Sequence, residues 1–136
     1  MTDYLLDTDI AIELLRGRNF HVAGRLASKN REQIFLSTVT VAELHFGALG
    51  SQQSEKSMVL CRRFCSAFQL AGLDHAAAEQ SGAIRADLEG RGARIGAYDT
   101  LIAGIALSRN CVLATHNVRE FGRVAGLRLE DWTVPA

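Results

Sequence analysis

Proline is rare in this chain, and long hydrophobic runs are absent. Its 136 residues include one proline, Pro135, and no repeat or low-complexity stretch, so we expect one domain over residues 1–136. The strongly apolar segment 101–107 is far shorter than the roughly 20 apolar residues that a membrane-spanning helix needs. The first residues also lack a positive segment followed by a long apolar core, the pattern of a secretion signal. We therefore expect a cytoplasmic protein without membrane association.

Cysteine is scarce as well. Cys61, Cys65 and Cys111 are an odd number without metal-site spacing, and the first two lie four residues apart within a helical pattern. This pattern predicts reduced, packed thiols. Zinc-type spacing is also missing among three of the histidines, which are His21, His45 and His75.

Net charge is absent, because 15 basic residues balance 15 acidic ones. This balance argues against a protein that holds nucleic acid by bulk attraction. Lysine is rare, since only Lys29 and Lys56 occur, so nearly all the basic residues are arginine. Arginine suits bidentate contact with phosphate, although a GC-rich genome explains the bias equally well. No G-x-x-x-x-G-K-[ST] motif occurs, which excludes a P-loop nucleotide site.

Alternating strand and helix patterns predict the fold class. Short apolar runs predict strands at residues 4–6, 33–37, 69–72, 111–115 and 127–129. Helical patterns predict helices at residues 10–15, 22–29, 41–49, 58–68, 75–88 and 101–107. Thr38 or Thr40 is expected to cap the third of these helices, and Asp74 the fifth. This alternation predicts a three-layer α/β fold with a parallel sheet covered by helices on both faces.

Three carboxylates are expected at one edge of this sheet. Asp7 follows the first predicted strand, Glu43 lies in the helix after the second strand, and Asp99 begins an apolar helix. Ligands of parallel sheets bind beyond the carboxyl ends of the strands. Taken singly, Asp7 could be a turn residue, Glu43 an exposed helical acid and Asp99 a helix cap. Together they predict a site for a hard divalent cation such as Mg2+.

Several further residues could contribute to this site. Asn117 follows the fourth strand, Glu120 comes three residues later, and Asp9 lies two residues after Asp7. Asp9 fits equally a supporting role in the site and a cap of the following helix. His116 is adjacent, but an outward or structural role is the better interpretation. Hydroxyls at Ser37, Thr38 and Thr115 could position water, although backbone capping is their commoner role.

Four segments resemble the PIN-domain ribonucleases, and in particular the VapC-type toxins of type II toxin–antitoxin modules. They are residues 4–10 (YLLDTDI), 36–47 (LSTVTVAELHFG), 95–103 (IGAYDTLIA) and 115–121 (THNVREF). The segment 124–132 (VAGLRLEDW) is similar to the C-terminal segment of such toxins. Each segment alone is a weak signal, whereas the four in this order and spacing are highly specific.

The resemblance implies a sheet of order 3-2-1-4-5, an Mg2+ or Mn2+ cofactor and hydrolysis of RNA. It implies that Asp7 and Asp99 hold the metal and that Glu43 completes the catalytic site. Many PIN domains carry a fourth carboxylate where this chain has Asn117, so Glu120 could supply that charge from one helical turn away. Related toxins often have Asn where this chain has Asp9.

The same resemblance implies protein partners. VapC-type toxins form homodimers and bind a small VapB-type antitoxin, which lays a helix and an arginine-bearing tail over the site. The apolar surface between Leu44 and Phe68 is the expected groove, with core packing as an equal alternative. The RNA substrate could be a tRNA, and higher assemblies are expected with the antitoxin.

Two other functions are weaker predictions. A haloacid-dehalogenase-like phosphatase would explain the Asp7-x-Asp9 motif and a hydroxyl at Ser37 or Thr38, but it needs a lysine that this chain does not place well. A degenerate PIN domain that only binds RNA or protein would explain Asn117.

Overall fold

A five-stranded parallel sheet lies at the centre of the protein. The computed structural model describes residues 1–136, and its strands run in the order β3-β2-β1-β4-β5. They are β1 (Tyr4–Leu6), β2 (Ile34–Ser37), β3 (Gln69–Ala71), β4 (Val112–Ala114) and β5 (Leu129–Glu130). The parallel α/β class and the order 3-2-1-4-5 are therefore confirmed.

Seven α-helices connect the strands. They are α1 (Thr8–Arg16), α2 (Phe20–Ala27), α3 (Thr38–Leu49), α4 (Ser54–Ser66), α5 (His75–Gly90), α6 (Ala97–Ser108) and α7 (Val118–Phe121). The sequence explains several of their ends. Gly17, at φ +65°, ends α1 in the left-handed region that glycine adopts easily, and the Asn19 side chain caps α2. Asp74 caps α5 as predicted.

Some predictions of detail are wrong, and hydrogen bonds explain two of them. Neither Thr38 nor Thr40 caps α3, because the Ser37 hydroxyl accepts the Thr40 backbone N–H at 2.9 Å and the helix therefore begins earlier. The last strand is also shifted, since its pairing with β4 sets Leu129 opposite Leu113. Hydrogen bonds that depend on the folded neighbours decide both boundaries.

Helices cover both faces of the sheet. Tyr4 and Leu6 point into one apolar core, with Trp132 fully buried beside them. Leu5 points into a second core on the opposite face, which contains Ile102 of α6. Because successive side chains of a strand alternate between faces, this division explains why β1 is apolar at every position.

Gly104 sets the distance between α5 and α6. A Cβ atom at this position would lie 2.0 Å from Ser81 Oγ, 2.8 Å from Ala77 O and 2.9 Å from Ser81 N. Two of these three atoms belong to the α5 backbone. The two helices can therefore pack this closely only because residue 104 has no side chain.

None of the helices combines the length and the apolar character that crossing a membrane requires.

Candidate active site

The candidate site lies at the carboxyl edge of the sheet, around the end of β1. Strand pairing aligns Leu6 with Leu36 on one side and with Ala114 on the other. The next residues, among them Asp7 and Thr115, therefore meet at this edge. β1 is also where the strand order reverses, since β2 and β4 lie on opposite sides of it. Ligands of such sheets bind at this point.

Asp7 is the most buried carboxylate of the site, with 4% of its surface exposed. Its Oδ1 accepts the Thr8 backbone N–H at 2.8 Å, and its Oδ2 accepts the Thr115 hydroxyl at 2.8 Å. Burial, followed by the charge of Asp9, raises the pKa of Asp7 to about 8. The fold thus holds this carboxylate firmly while making its ionisation costly.

Asp9 lies beside Asp7 and has an oxygen without a partner. Its Oδ2 accepts the His116 backbone N–H at 3.1 Å and lies 3.5 Å from the Thr115 hydroxyl. Its Oδ1 is buried and makes no hydrogen bond. Burial raises the pKa of Asp9 above its ordinary value. A buried carboxylate oxygen without a donor is costly, unless a cation is bound beside it.

Hydroxyl groups connect α1 to Glu43 of α3. Thr8 Oγ1 donates to Glu43 Oε1 at 2.8 Å and lies 2.9 Å from Thr40 Oγ1. The Ser37 hydroxyl donates to Thr40 Oγ1 at 3.1 Å. This chain of hydroxyls orients Glu43 toward the end of β1. Thr8 and Thr40 were not among the predicted site residues, and a signal for them would have required knowing that α1 and α3 pack together.

Asp99 stands in the first turn of α6, which Gly96 rather than Asp99 caps. It is half-buried. Burial raises its pKa to about 6, and the charges of Glu120, Glu43 and Asp9 add to the shift. These charges come from three other segments of the chain. The structure therefore brings Asp99 close to the other predicted acidic residues.

Asn117 and Glu120 extend the site from the end of β4. Asn117 Nδ2 donates to Glu120 Oε2 at 3.1 Å, and the Asn117 backbone N–H donates to Thr115 Oγ1 at 2.9 Å. The amide thus holds the Glu120 carboxylate, whose charge acts on Asp99. Asn117 is uncharged, whereas the Glu120 carboxylate places a negative charge in the same neighbourhood. His116 faces away, since its ring contacts Asp131 and Thr133.

The donor set suits a hard divalent cation. Five carboxylates lie in this neighbourhood, and none of them is in an ion pair; they are Asp7, Asp9, Glu43, Asp99 and Glu120. Their mutual repulsion and the free oxygen of Asp9 are both relieved by a cation bound among carboxylate oxygens, the ligands that Mg2+ and Mn2+ prefer. The residues present therefore fit a divalent metal.

The metal-free protein is expected to lose stability as the pH rises from about 5 to 8. Asp7 and Asp99 have folded-state pKa values of about 8 and about 6, above the value of 3.8 that they have when unfolded. Between those values the folded state binds more protons than the unfolded state, so the unfolding free energy falls with pH. Melting temperatures in EDTA across this range measure the effect.

The control for this prediction is Asp7→Asn, which should flatten the slope. Asp131 has a lowered pKa and titrates below the tested range, whereas the raised pKa of Cys65, about 11, lies above it. An equal or steeper slope in Asp7→Asn would contradict the assignment of the shift to Asp7.

Comparisons with known proteins agree with this fold. The PIN domain family model matches residues 4–127. The tRNA(fMet)-specific endonuclease VapC of Shigella flexneri is 39% identical over 98% of this chain and 100% of its own length. The ribonuclease VapC2 of Haemophilus influenzae is 35% identical over 97% and 99%. The DNA-bound VapBC structure from Salmonella typhimurium superposes with a TM-score of 0.91 at 36% identity, covering 97% of this chain and 99% of that one.

A parallel 3-2-1-4-5 sheet with clustered carboxylates at its edge is the architecture of a PIN-type nuclease, and the chain belongs to the PIN-domain family. Within that family it is a VapC-type ribonuclease. PIN-domain nucleases of this type generally depend on a divalent metal.

The phosphatase alternative is wrong. Besides the family match, the structure places no lysine at the carboxylates: Lys29 Nζ lies 4.5 Å from the centre of the Tyr4 ring. Lys56 lies in the first turn of α4.

Proposed function

We propose that this protein is a divalent-metal-dependent endoribonuclease that cleaves tRNA and acts as the toxin of a toxin–antitoxin pair. The observation that carries the proposal is the group of carboxylates around Asp7, which has no cation of the protein's own to balance it. A chain that only bound RNA would gain from basic groups here, not from buried acids. This favours an enzyme over a degenerate binding module.

In this proposal Asp7 and Asp99 hold the metal, which is Mg2+ or Mn2+, and Glu43 completes the site. When bound, the cation supplies Lewis acidity and positive charge that favour attack of water on a phosphodiester bond. Asp9 adds charge through its unpartnered Oδ1. The proposal assigns these four carboxylates to the reacting side of the site.

Neutral side chains have positioning roles in this proposal. Thr115 donates to Asp7 and receives the Asn117 backbone N–H, so it joins two segments of the site. Thr8 holds Glu43, and the Asn117 amide holds Glu120. These bonds fix carboxylates that would otherwise turn away from one another, and fixed charges lower the reorganisation that catalysis requires.

The substrate we propose is tRNA, and specifically tRNA(fMet). This rests on the curated relative from Shigella flexneri, whose name states that specificity, and on its coverage of nearly the whole chain. Arg119 is exposed beside Glu120 and takes part in no ion pair, so it is available for a phosphate.

The partner we propose is a small VapB-type antitoxin. Several structural relatives, from Salmonella typhimurium and Haemophilus influenzae among others, are VapBC complexes. We also propose that residues 1–136 act as one domain and that the protein forms a homodimer.

Purified protein is expected to cut tRNA(fMet) in the presence of Mg2+ or Mn2+ and to stop when EDTA is added. Readdition of the cation should restore cleavage, because the metal supplies the charge that the carboxylates lack. Gel analysis of 5′-labelled tRNA(fMet), with an elongator tRNA in parallel, measures both the activity and the specificity.

The alternative outcomes separate the parts of the proposal. Equal cleavage of both tRNAs would contradict the proposed specificity but not the nuclease. Tight binding of tRNA without cleavage at any metal concentration would support the degenerate binding module instead.

A further inference from the structure

His45, Cys61 and Cys65 form a second group of metal-ligating side chains, separate from the carboxylates. His45 lies on α3, and both cysteines lie on α4, which packs against it. One ligand atom from each residue lies within 4.8 Å of the other two. His45 Nδ1 is 3.6 Å from Cys61 Sγ. All three cysteines of the chain are free thiols.

The separation of His45 and Cys61 matches that of two ligands in a tetrahedral thiolate and imidazole site. With Zn–S bonds of about 2.3 Å and Zn–N bonds of about 2.0–2.1 Å, two ligands at the tetrahedral angle are about 3.6 Å apart. The His45–Cys61 separation already has this value. The Cys65 Sγ atom lies within 4.8 Å of the ligand atoms of both other residues. An ion that bound all three residues would draw these ligand atoms to within about 3.6–3.8 Å of one another.

A disulfide explains this cysteine pair less well. Residues four apart on a regular helix have Cβ atoms about 5–6 Å apart, whereas a disulfide needs about 3.5–4.5 Å. Closing the bond would therefore require unwinding of α4.

The charge and surroundings of the group favour a thiolate-binding cation. Cys61 is buried, with Met58 and Phe64 of the same helix packed against the same apolar core. A divalent cation with two thiolates and a neutral imidazole has no net charge, so it can lie among apolar neighbours at small cost. His45 and Cys65 are half-buried, which leaves the group open to solvent on one side.

The present hydrogen bond of His45 does not prevent metal binding. Nδ1 lies 3.0 Å from the Val41 carbonyl oxygen. A metal at Nδ1 would move the ring proton to Nε2 and end that bond. In a regular helix the same carbonyl still accepts the backbone N–H four residues later, so no buried acceptor is left without a partner.

We propose that His45, Cys61 and Cys65 bind a borderline-soft divalent cation of the Zn2+ type, with water as fourth ligand, and so link α3 to α4. This site shares no ligand with the carboxylate site, and it takes no chemical part in the nuclease reaction. It takes a different class of cation, because thiolate ligands select Zn2+ and related ions over Mg2+. Since α3 also carries Glu43, the ion would stiffen the element that positions this carboxylate.

The test is titration of the full-length protein with Co2+ in the presence of excess Mg2+ and a reductant that does not bind metals. Thiolate bound to Co2+ produces near-ultraviolet charge-transfer absorption, which carboxylate ligands do not produce. We expect this absorption to saturate at one equivalent of Co2+ and to disappear when Zn2+ is added, because Zn2+ displaces the probe.

Variants identify the ligands. Cys65→Ser should abolish the absorption, and His45→Gln should weaken Co2+ affinity at least about tenfold, as changes near metal sites commonly do. Cys111→Ser is the control for the loss of a thiol and should leave the Co2+ absorption unchanged, since Cys111 belongs to the core on the other face of the sheet. Cys61 is 3% exposed, so its replacement can disturb packing; Cys65, half-buried, is therefore the decisive position.

Two results would overturn the proposal. One is the absence of charge-transfer absorption in the wild-type protein at one equivalent of Co2+. The other is undiminished absorption in Cys65→Ser while circular dichroism shows the native helix content. Neither result would affect the proposed nuclease, which is measured by RNA cleavage.

Discussion

Replacing Asp7 with Asn is expected to reduce RNA cleavage about a hundred- to a thousandfold, the loss typical of removing one charge-stabilising group. Asp7 is the most buried carboxylate of the site and is fixed by Thr8 and Thr115. Its loss removes a full charge from the proposed metal site. Asp99→Asn should have an effect of similar size. Single-turnover cleavage of labelled tRNA measures both.

The Asp7→Asn variant is expected to fold, which makes the experiment decisive. Asn caps helices as well as Asp does, so the bond from the Thr8 N–H is kept. The Thr115 hydroxyl can turn to accept from the new amide. Asp87→Asn is the matched control, because Asp87 is exposed on α5 in an ion pair with Arg91. Full cleavage by folded Asp7→Asn would refute the assignment of this residue.

Gly104→Ala is expected to lower the free energy of unfolding by about 3 kcal/mol, at the upper end for overpacking a core. The new methyl carbon would lie 2.0 Å from Ser81 Oγ, 2.8 Å from Ala77 O and 2.9 Å from Ser81 N. The Ser81 side chain can rotate, but the α5 backbone can move away only if the helix pair separates. Urea unfolding followed by circular dichroism measures the change.

Gly82→Ala provides the comparison within the same helix pair. Gly82 lies on α5 with no atom within 4 Å of the position of a Cβ. At this position alanine differs from glycine only in its higher helix propensity. We therefore expect the free energy of unfolding to rise by up to about 1 kcal/mol. Equal effects of the two substitutions would mean that contact at Gly104 is not what limits the helix spacing.

The location of the site could be predicted from sequence because it follows from the sheet. Apolar strands alternating with helices imply parallel strands whose ends share an edge. Asp7 directly follows such a strand, and the structure places Asp7, Glu43 and Asp99 at that edge. The strand order could not be derived from the apolar patterns alone. It was predicted from the resemblance to a family, and the sheet confirms it.

Contacts between distant segments could not be predicted. The Thr8–Glu43 bond joins residues 35 positions apart, and it depends on how α1 and α3 pack. The His45 and cysteine group was missed for the same reason, since zinc-type spacing along the chain describes ligands within one motif, not on two helices. Ser37 caps α3 in place of the expected Thr38 or Thr40, because its hydroxyl, at the end of β2, accepts the Thr40 backbone N–H.

The same burial and lack of ion pairing that suit Asp7 to bind a metal also lower the stability of the metal-free protein. Asp7 raises the cost of folding while no cation is bound, so a neutral residue at this position should make the metal-free protein more stable as well as inactive. If the chain is toxic to its host, cells that express it gain from the same substitutions. Laboratory propagation of the gene and selection for high yield would therefore both favour the loss of these acids, and an unusually stable preparation should be sequenced before its activity is measured.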